Sequence, residues 1–184
     1  LNNHWISEAA ALFIGGHILS KQKKYKIIGT KFAKYGKDSI EEAVSKLIME
    51  DGSFSQHSII YHRLVLETLS QVELWRRWLK LKNFNKEFYR KSLLAFDWLN
   101  HFTDSLTGNA PNLGANDGSN CYKFHSLGYR DFRPTLQLSG LLFADKITLN
   151  DGLWNEPLYW LDLDNLIDKL EKSRTRSKTK SRNK

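Results

Sequence analysis

The segment from Gln56 to Arg63, with the sequence QHSIIYHR, concentrates side chains that can move a proton or hold an anion. Tyr61 falls in the first turn of a predicted helix, where the partial positive charge of the helix N-terminus makes a phenol easier to ionise or readies it as a proton donor. His62 points about 100° away around the same helix, so we expect it only to support Tyr61. The apolar pattern alone slightly favours another interpretation, in which Tyr61 is the first buried residue of the helix.

Polar residues on either side of this cluster also allow two interpretations. Gln56 and Ser58 can each cap the helix, and each could hydrogen-bond a sugar hydroxyl. The GANDGS segment, residues 114–119, places Asn116 and Asp117 between glycines. This arrangement is typical of a turn, but it also suits a rim that binds hydroxyls or a cation.

The sequence carries no motif for a metal, a nucleotide or a serine hydrolase. It has no dedicated calcium loop, no phosphate-binding glycine motif, no HExxH zinc motif and no nucleophile elbow. A single cysteine excludes an intrachain disulfide and a cysteine-rich metal site. Asn2 or Asn3 can cap the first helix, and Asn3-His4 is most simply a helix cap followed by an incidental histidine. We therefore predict neither a metal nor a cofactor.

Helices must position these side chains, because apolar residues recur at steps of three or four and no strand is indicated. Gly15-Gly16 and Gly36 are expected to end two helices, and an Asp38–Glu41 capping box to begin a third. Asn85 is expected to cap a helix, and Pro134 to lie in the first turn of another. The predicted helices cover 4–14, 23–35, 39–49, 58–81, 86–104, part of 130–145, and short segments at 156–161 and 164–172, with a long loop at 107–120 that we expect to be functional or mobile.

The composition is that of one globular helical domain with a basic C-terminal tail. Of the 184 residues, 41% are hydrophobic and 12% aromatic. The net charge of +8 depends on residues 172–184, which hold seven basic and no acidic side chains. We expect this tail to be disordered, and it alone suggests nucleic acid. No uninterrupted apolar run is long enough to span a membrane, and the start at LNNHW, without Met, suggests a piece of a longer protein.

Four segments of the chain, in this order and at these spacings, resemble the heparinase II/III-like polysaccharide lyases. They are NNHWISEAAALFIGG, DGSFSQHSIIYHRLVLETL, GANDGS and YRDFRPTLQLSGLLFAD. The family combines an incomplete (α/α) toroid with an antiparallel β-sandwich domain. The resemblance covers the chain up to about residue 161 and implies an all-α fold there, as a partial (α/α) toroid of antiparallel helix pairs over 1–161. The residues themselves add a short terminal helix over 162–171 and the disordered basic tail over 172–184. It also implies that earlier toroid helices and the β domain are missing.

The resemblance further implies cleavage of uronate-containing polysaccharides by β-elimination. This reaction needs a group that neutralises the C5 carboxylate, a base for the C5 proton and an acid for the departing O4. The matching positions are Asn3 for the carboxylate, His4 for the base, and Tyr61 for the acid and, in some branches, the base. The weaker candidates for substrate binding are Trp5, Gln56, His62, Asn116, Asp117 and Arg133.

The expected partner is an acidic polysaccharide, resembling heparan sulfate, alginate or a bacterial surface glycan. A His from the missing β-sandwich domain would complete the site, and the family resemblance implies a periplasmic or secreted location. One alternative is a non-catalytic glycan-binding module or a truncated, inactive toroid. Another is a helical protein that binds nucleic acid, which depends on the basic tail alone and is less favoured.

Overall fold

The computed structural model describes residues 2–163 together with Asn165 and Ile167. The helices in this part of the chain are α1 (Asn3–Ser20), α2 (Lys26–Leu47), α3 (Ile59–Trp78), α4 (Lys86–Phe102), α5 (Arg133–Phe143) and α6 (Glu156–Trp160), with short 3-10 turns at Lys23–Tyr25 and Leu153–Asn155. The only extended pairing among the described residues is a single bridge between Ile48 and Phe54. The predicted all-α fold is confirmed, whereas its arrangement as part of a ring stays a prediction.

Two further predictions concern the C-terminus and membranes. Apart from Asp162, Leu163, Asn165 and Ile167, the predicted terminal helix over 162–171 lies outside the described residues, and so does all of the tail over 172–184. Within the described part of the chain, every helix is too short or too polar to cross a membrane.

Helix starts follow the local signals in the sequence. The Asn2 side chain accepts a hydrogen bond from the His4 backbone and caps α1. Ser58 caps α3 through the backbone N–H of Tyr61, and Asn85 caps α4 through that of Phe88. These side chains satisfy backbone donors that would otherwise have no partner in the first turn.

The predictions that glycines end the first helices are wrong. Helix α1 continues through Gly15 and Gly16 to Ser20, and α2 passes Gly36 as one helix from Lys26 to Leu47. Asp38 lies inside α2 and pairs with Lys34 at 2.8 Å instead of starting a helix. Glycine has a low helix propensity, but the packing of α1 against α2 keeps these residues helical.

The packing of α1 against α2 explains why glycines stand inside both helices. A Cβ on Gly16 would lie 2.3 Å from the backbone nitrogen of Ala33, and one on Gly36 would lie 2.3 Å from that of Phe13. Gly29 has a similar contact, 2.4 Å from the backbone nitrogen of Ser20. The two backbones approach so closely that only glycine fits at these three positions.

Helix α3 is the central element of the fold. It packs against α1, α4 and α5 and contributes Ile59, Ile60, Leu66, Leu69 and Val72 to the main core. It also buries polar side chains, namely His62, Arg63, Glu67, Gln71 and Glu73. Buried polar groups of this kind need specific partners, so α3 orders the segments that pack against it.

Candidate functional site

The N-terminus of α1 lies against the segment that leads into α3. The backbone N–H of Asn3 donates a hydrogen bond of 2.8 Å to the side-chain oxygen of Gln56. Gln56 lies two residues before Ser58, the cap of α3. The Gln56 side chain therefore ties the start of α1 to the segment that leads into α3, and this contact uses the backbone N–H of Asn3.

The loop that contains GANDGS covers the first turn of α3. The Ser58 hydroxyl donates to the carbonyl oxygen of Ala115 at 2.6 Å. The backbone N–H of Ile59 donates to the carbonyl oxygen of Leu113 at 3.1 Å. Gly114 has a φ of +69°, and a Cβ there would lie 2.2 Å from the carbonyl oxygen of His57. Close backbone contact thus places the loop directly over the start of the helix.

Tyr61 is bonded to a carboxylate of this loop. Its hydroxyl donates to Asp117 Oδ2 at 3.0 Å. This hydrogen bond, followed by the negative charge of Asp117, raises the pKa of Tyr61 above its ordinary value. Hydrogen bonds from Ser119 and then from Tyr61 lower the pKa of Asp117. The helix N-terminus alone would favour ionisation of the phenol, but the neighbouring carboxylate has the opposite effect and makes ionisation harder.

Arg63 fixes the segment that carries Asp117. It is 1% exposed, and its guanidinium donates to the carbonyl oxygens of Ser119 and Tyr129. The backbone N–H of Ser119 donates in turn to Asp117 Oδ1 at 3.0 Å. Arg63 was not among the predicted site residues and stood out in the sequence only as part of the Tyr-His-Arg segment. An arginine inside an otherwise apolar stretch of α3 was the available signal, since a buried arginine must find acceptors.

We expect Arg63→Lys to loosen this loop. A single ammonium cannot replace a guanidinium that reaches two carbonyl groups, and a buried carbonyl left without a donor costs about 1–3 kcal/mol. Backbone hydrogen exchange at Ser119 should become faster, measured by NMR or mass spectrometry. The control is Arg90→Lys, because Arg90 pairs with Glu50 and Glu87 on the surface and such pairs contribute little. Unchanged exchange at Ser119 in Arg63→Lys would contradict the role given to Arg63.

Three of the predicted binding residues are engaged elsewhere. His62 is 1% exposed, bonds the carbonyl oxygen of Ala95 at 2.8 Å and stacks on Trp98. Burial lowers the pKa of His62 to about 4, so the ring is neutral at physiological pH. Because the side chain is buried, a substrate cannot reach it. The Trp5 indole is half-buried and donates to Ser39, and the Arg133 guanidinium pairs with Asp131 at 2.6 Å. The structure therefore places these three side chains in contacts within the fold.

The remaining candidates lie at the surface near the two helix starts. His4 is exposed and Asn3 is half-buried. Asn116 is exposed, and its side-chain oxygen accepts from the backbone N–H of Gly118 at 3.0 Å, which closes the turn that the sequence suggested. Gln56 uses its side-chain oxygen to hold the start of α1. The structure thus brings Asn3 to Gln56 and Tyr61 to Asp117, each through its own hydrogen bond.

Within the described residues there is no group of three or more His, Cys, Asp or Glu side chains that could hold a metal ion. No family model matches the chain, and neither a curated protein nor a solved structure matches it.

Proposed function

We propose that the chain provides the proton donor and the carboxylate-binding group of a lyase that cleaves uronate-containing polysaccharides by β-elimination. The observation that carries this proposal is the position of the Tyr61 phenol, which lies on the first turn of α3 and donates a hydrogen bond to the loop carboxylate of Asp117 at 3.0 Å. The phenol supplies a proton donor, and Asn3, held against Gln56 ahead of α3, supplies an amide for the carboxylate.

The proposed reaction assigns one task to each group. The Asn3 amide hydrogen-bonds the C5 carboxylate and makes the C5 proton more acidic, and exposed His4 removes that proton. The electron pair forms the C4–C5 double bond while the C4–O4 bond breaks. Tyr61 then gives its proton to O4. Because the Tyr61 hydroxyl already donates to Asp117, the glycosidic oxygen must replace that carboxylate as the acceptor.

The test follows the absorbance of the unsaturated uronate after incubation of the protein with heparan sulfate, alginate and related uronans. We expect product with at least one of them, and Tyr61→Phe should lower the rate by about 10²- to 10⁴-fold, the usual contribution of a general acid. Tyr35→Phe is the control, because Tyr35 is a well-exposed tyrosine on α2. Absence of product with every uronan, or an unchanged rate in Tyr61→Phe, would refute the proposal.

A non-catalytic glycan-binding module is the second candidate. It is favoured by the contacts that already occupy the site, since the Tyr61 hydroxyl is bonded to Asp117 and the side chain of Gln56 to the start of α1. The two functions differ in one measurement. Binding to a uronan that forms no unsaturated product, with the same affinity in Tyr61→Phe, would favour the binding module over the lyase.

A further inference from the structure

A second candidate site is a groove between the C-terminal half of α1, α2 and the connection from α3 to α4. Its volume is about 330 Å³, at the small end of the range for small-molecule pockets. Phe13 from α1 and Leu81 from the connection form its apolar walls. Ala33 also lines the groove, and its small side chain leaves room between the walls.

Another, much smaller pocket is lined by residues that include Glu67, Gln71 and His125. Its volume is only about 10 Å³, which is room for a single water. The groove between α1 and α2 is the larger of the two by far, and it contains none of the residues proposed for the lyase reaction.

The charge around the groove has one sign. Lys34, Lys37 and Lys82 line it, and no acidic residue does. Lys34 and Lys37 each pair with an acidic residue one turn along α2. Lys82 has no ion-pair partner among the residues that the structure describes. An ammonium at the edge of an apolar groove is complementary to a ligand with an apolar body and one anionic group.

The histidine in the groove supports the same ligand chemistry. The His17 ring lies edge-on to Phe13, with the ring centroids 4.9 Å apart. Burial, followed by the charge of Lys21, lowers the pKa of His17, so the ring is neutral at physiological pH. A neutral imidazole is a polar hydrogen-bonding group within the apolar wall, and the positive charge comes from the lysines.

We propose that this groove binds a small anionic amphiphile, such as a medium-chain or aromatic carboxylate. Its apolar body lies between Phe13 and Leu81, and its carboxylate lies at Lys82. The proposal is independent of the lyase reaction, because the groove and the Tyr61 site have no residue in common.

The first test compares two probes with the same chain and opposite charge. Decanoate and decyltrimethylammonium are titrated below their micelle concentrations, and amide shifts of Phe13, Ala33 and Leu81 are followed by NMR. We expect saturable binding of decanoate and at least tenfold weaker binding of the cation. Equal binding of both probes, or no saturable binding of decanoate, would overturn the proposal.

The second test uses matched charge reversals. Lys82→Glu should weaken decanoate binding at least tenfold, whereas Lys31→Glu, which changes the net charge equally at an exposed position on α2 outside the groove, should change it less than twofold. Thr30→Phe should fill the groove and abolish binding, because Thr30 lines the groove and is exposed. Equal effects of the two lysine variants, or undiminished binding in folded Thr30→Phe, would exclude this groove as the site.

Discussion

Gly36→Ala is expected to destabilise the protein by about 3 kcal/mol or more, because the added Cβ would lie 2.3 Å from the backbone nitrogen of Phe13. A flexible side chain could move away at little cost, but here the obstacle is the backbone of α1. The helices would have to separate, and this would disturb the core contacts of Phe13 and Ile40 on either side. Overpacking of a core usually costs about 1–3 kcal/mol, and a contact with backbone belongs at or above the top of that range.

The same substitution at Gly15 should have the opposite sign. A Cβ on Gly15 would meet no atom within 4 Å, although Gly15 lies inside α1 as Gly36 lies inside α2. Ala is a better helix former than Gly by up to about 1 kcal/mol, so Gly15→Ala should stabilise the protein. Urea unfolding followed by circular dichroism measures both variants. Equal stability of Gly36→Ala and the wild type would show that the close approach of α1 and α2 is not required.

Glu67→Gln is expected to stabilise the protein increasingly as the pH rises from 5 to 8. Burial raises the pKa of Glu67 to about 7 from an ordinary 4.5, which outweighs the hydrogen bond from Thr135 and the charge of Arg63. The folded state therefore holds the proton more tightly than the unfolded state. The bound proton favours folding at acid pH, and this contribution is lost as the pH rises from 4.5 to about 7. At pH 8 the wild type has lost up to roughly 3 kcal/mol of its free energy of unfolding in this way. The glutamine side chain of the variant carries no charge, so the variant does not lose this stability.

A second buried glutamate on the same helix provides the contrast. Burial raises the pKa of Glu73, but hydrogen bonds from Arg76 and Arg77 at 2.7 Å outweigh burial and hold the pKa below its ordinary value. Its contribution to stability is present above the ordinary pKa of a glutamate and is lost as the pH falls through its folded-state pKa. Glu73→Gln should therefore destabilise the protein at pH 8 by about 1–3 kcal/mol.

Urea unfolding of both variants and the wild type at pH 5, 6.5 and 8 measures this difference. The free energy of unfolding of Glu67→Gln should move above that of the wild type as the pH rises, and that of Glu73→Gln should lie below it at pH 8. A gap between Glu67→Gln and the wild type that does not change with pH would show that Glu67 ionises normally in the folded state.

The all-α class and the starts of three helices could be predicted from the residues alone. Ser58 and Asn85 each cap a helix through a backbone N–H three residues later, and Asn2 caps α1 through the N–H two residues later. Such hydrogen bonds depend only on the neighbouring residues, so their pattern can be recognised without knowledge of the fold. Pro134 lies in the first turn of α5 for the same local reason.

The glycines that lie within helices and the acceptor of the Tyr61 hydroxyl could not be predicted from the residues alone. Gly16 and Gly36 were expected to end helices, but each faces the backbone of the other helix of the α1–α2 pair. The proton of Tyr61 is held by Asp117, which is 56 residues away in the sequence, and Arg63 reaches Tyr129 across 66 residues. Contacts over such separations leave no periodic or local pattern in the chain. They arise from the packing of whole helices, which brings distant groups to hydrogen-bonding distance and sets their burial and pKa.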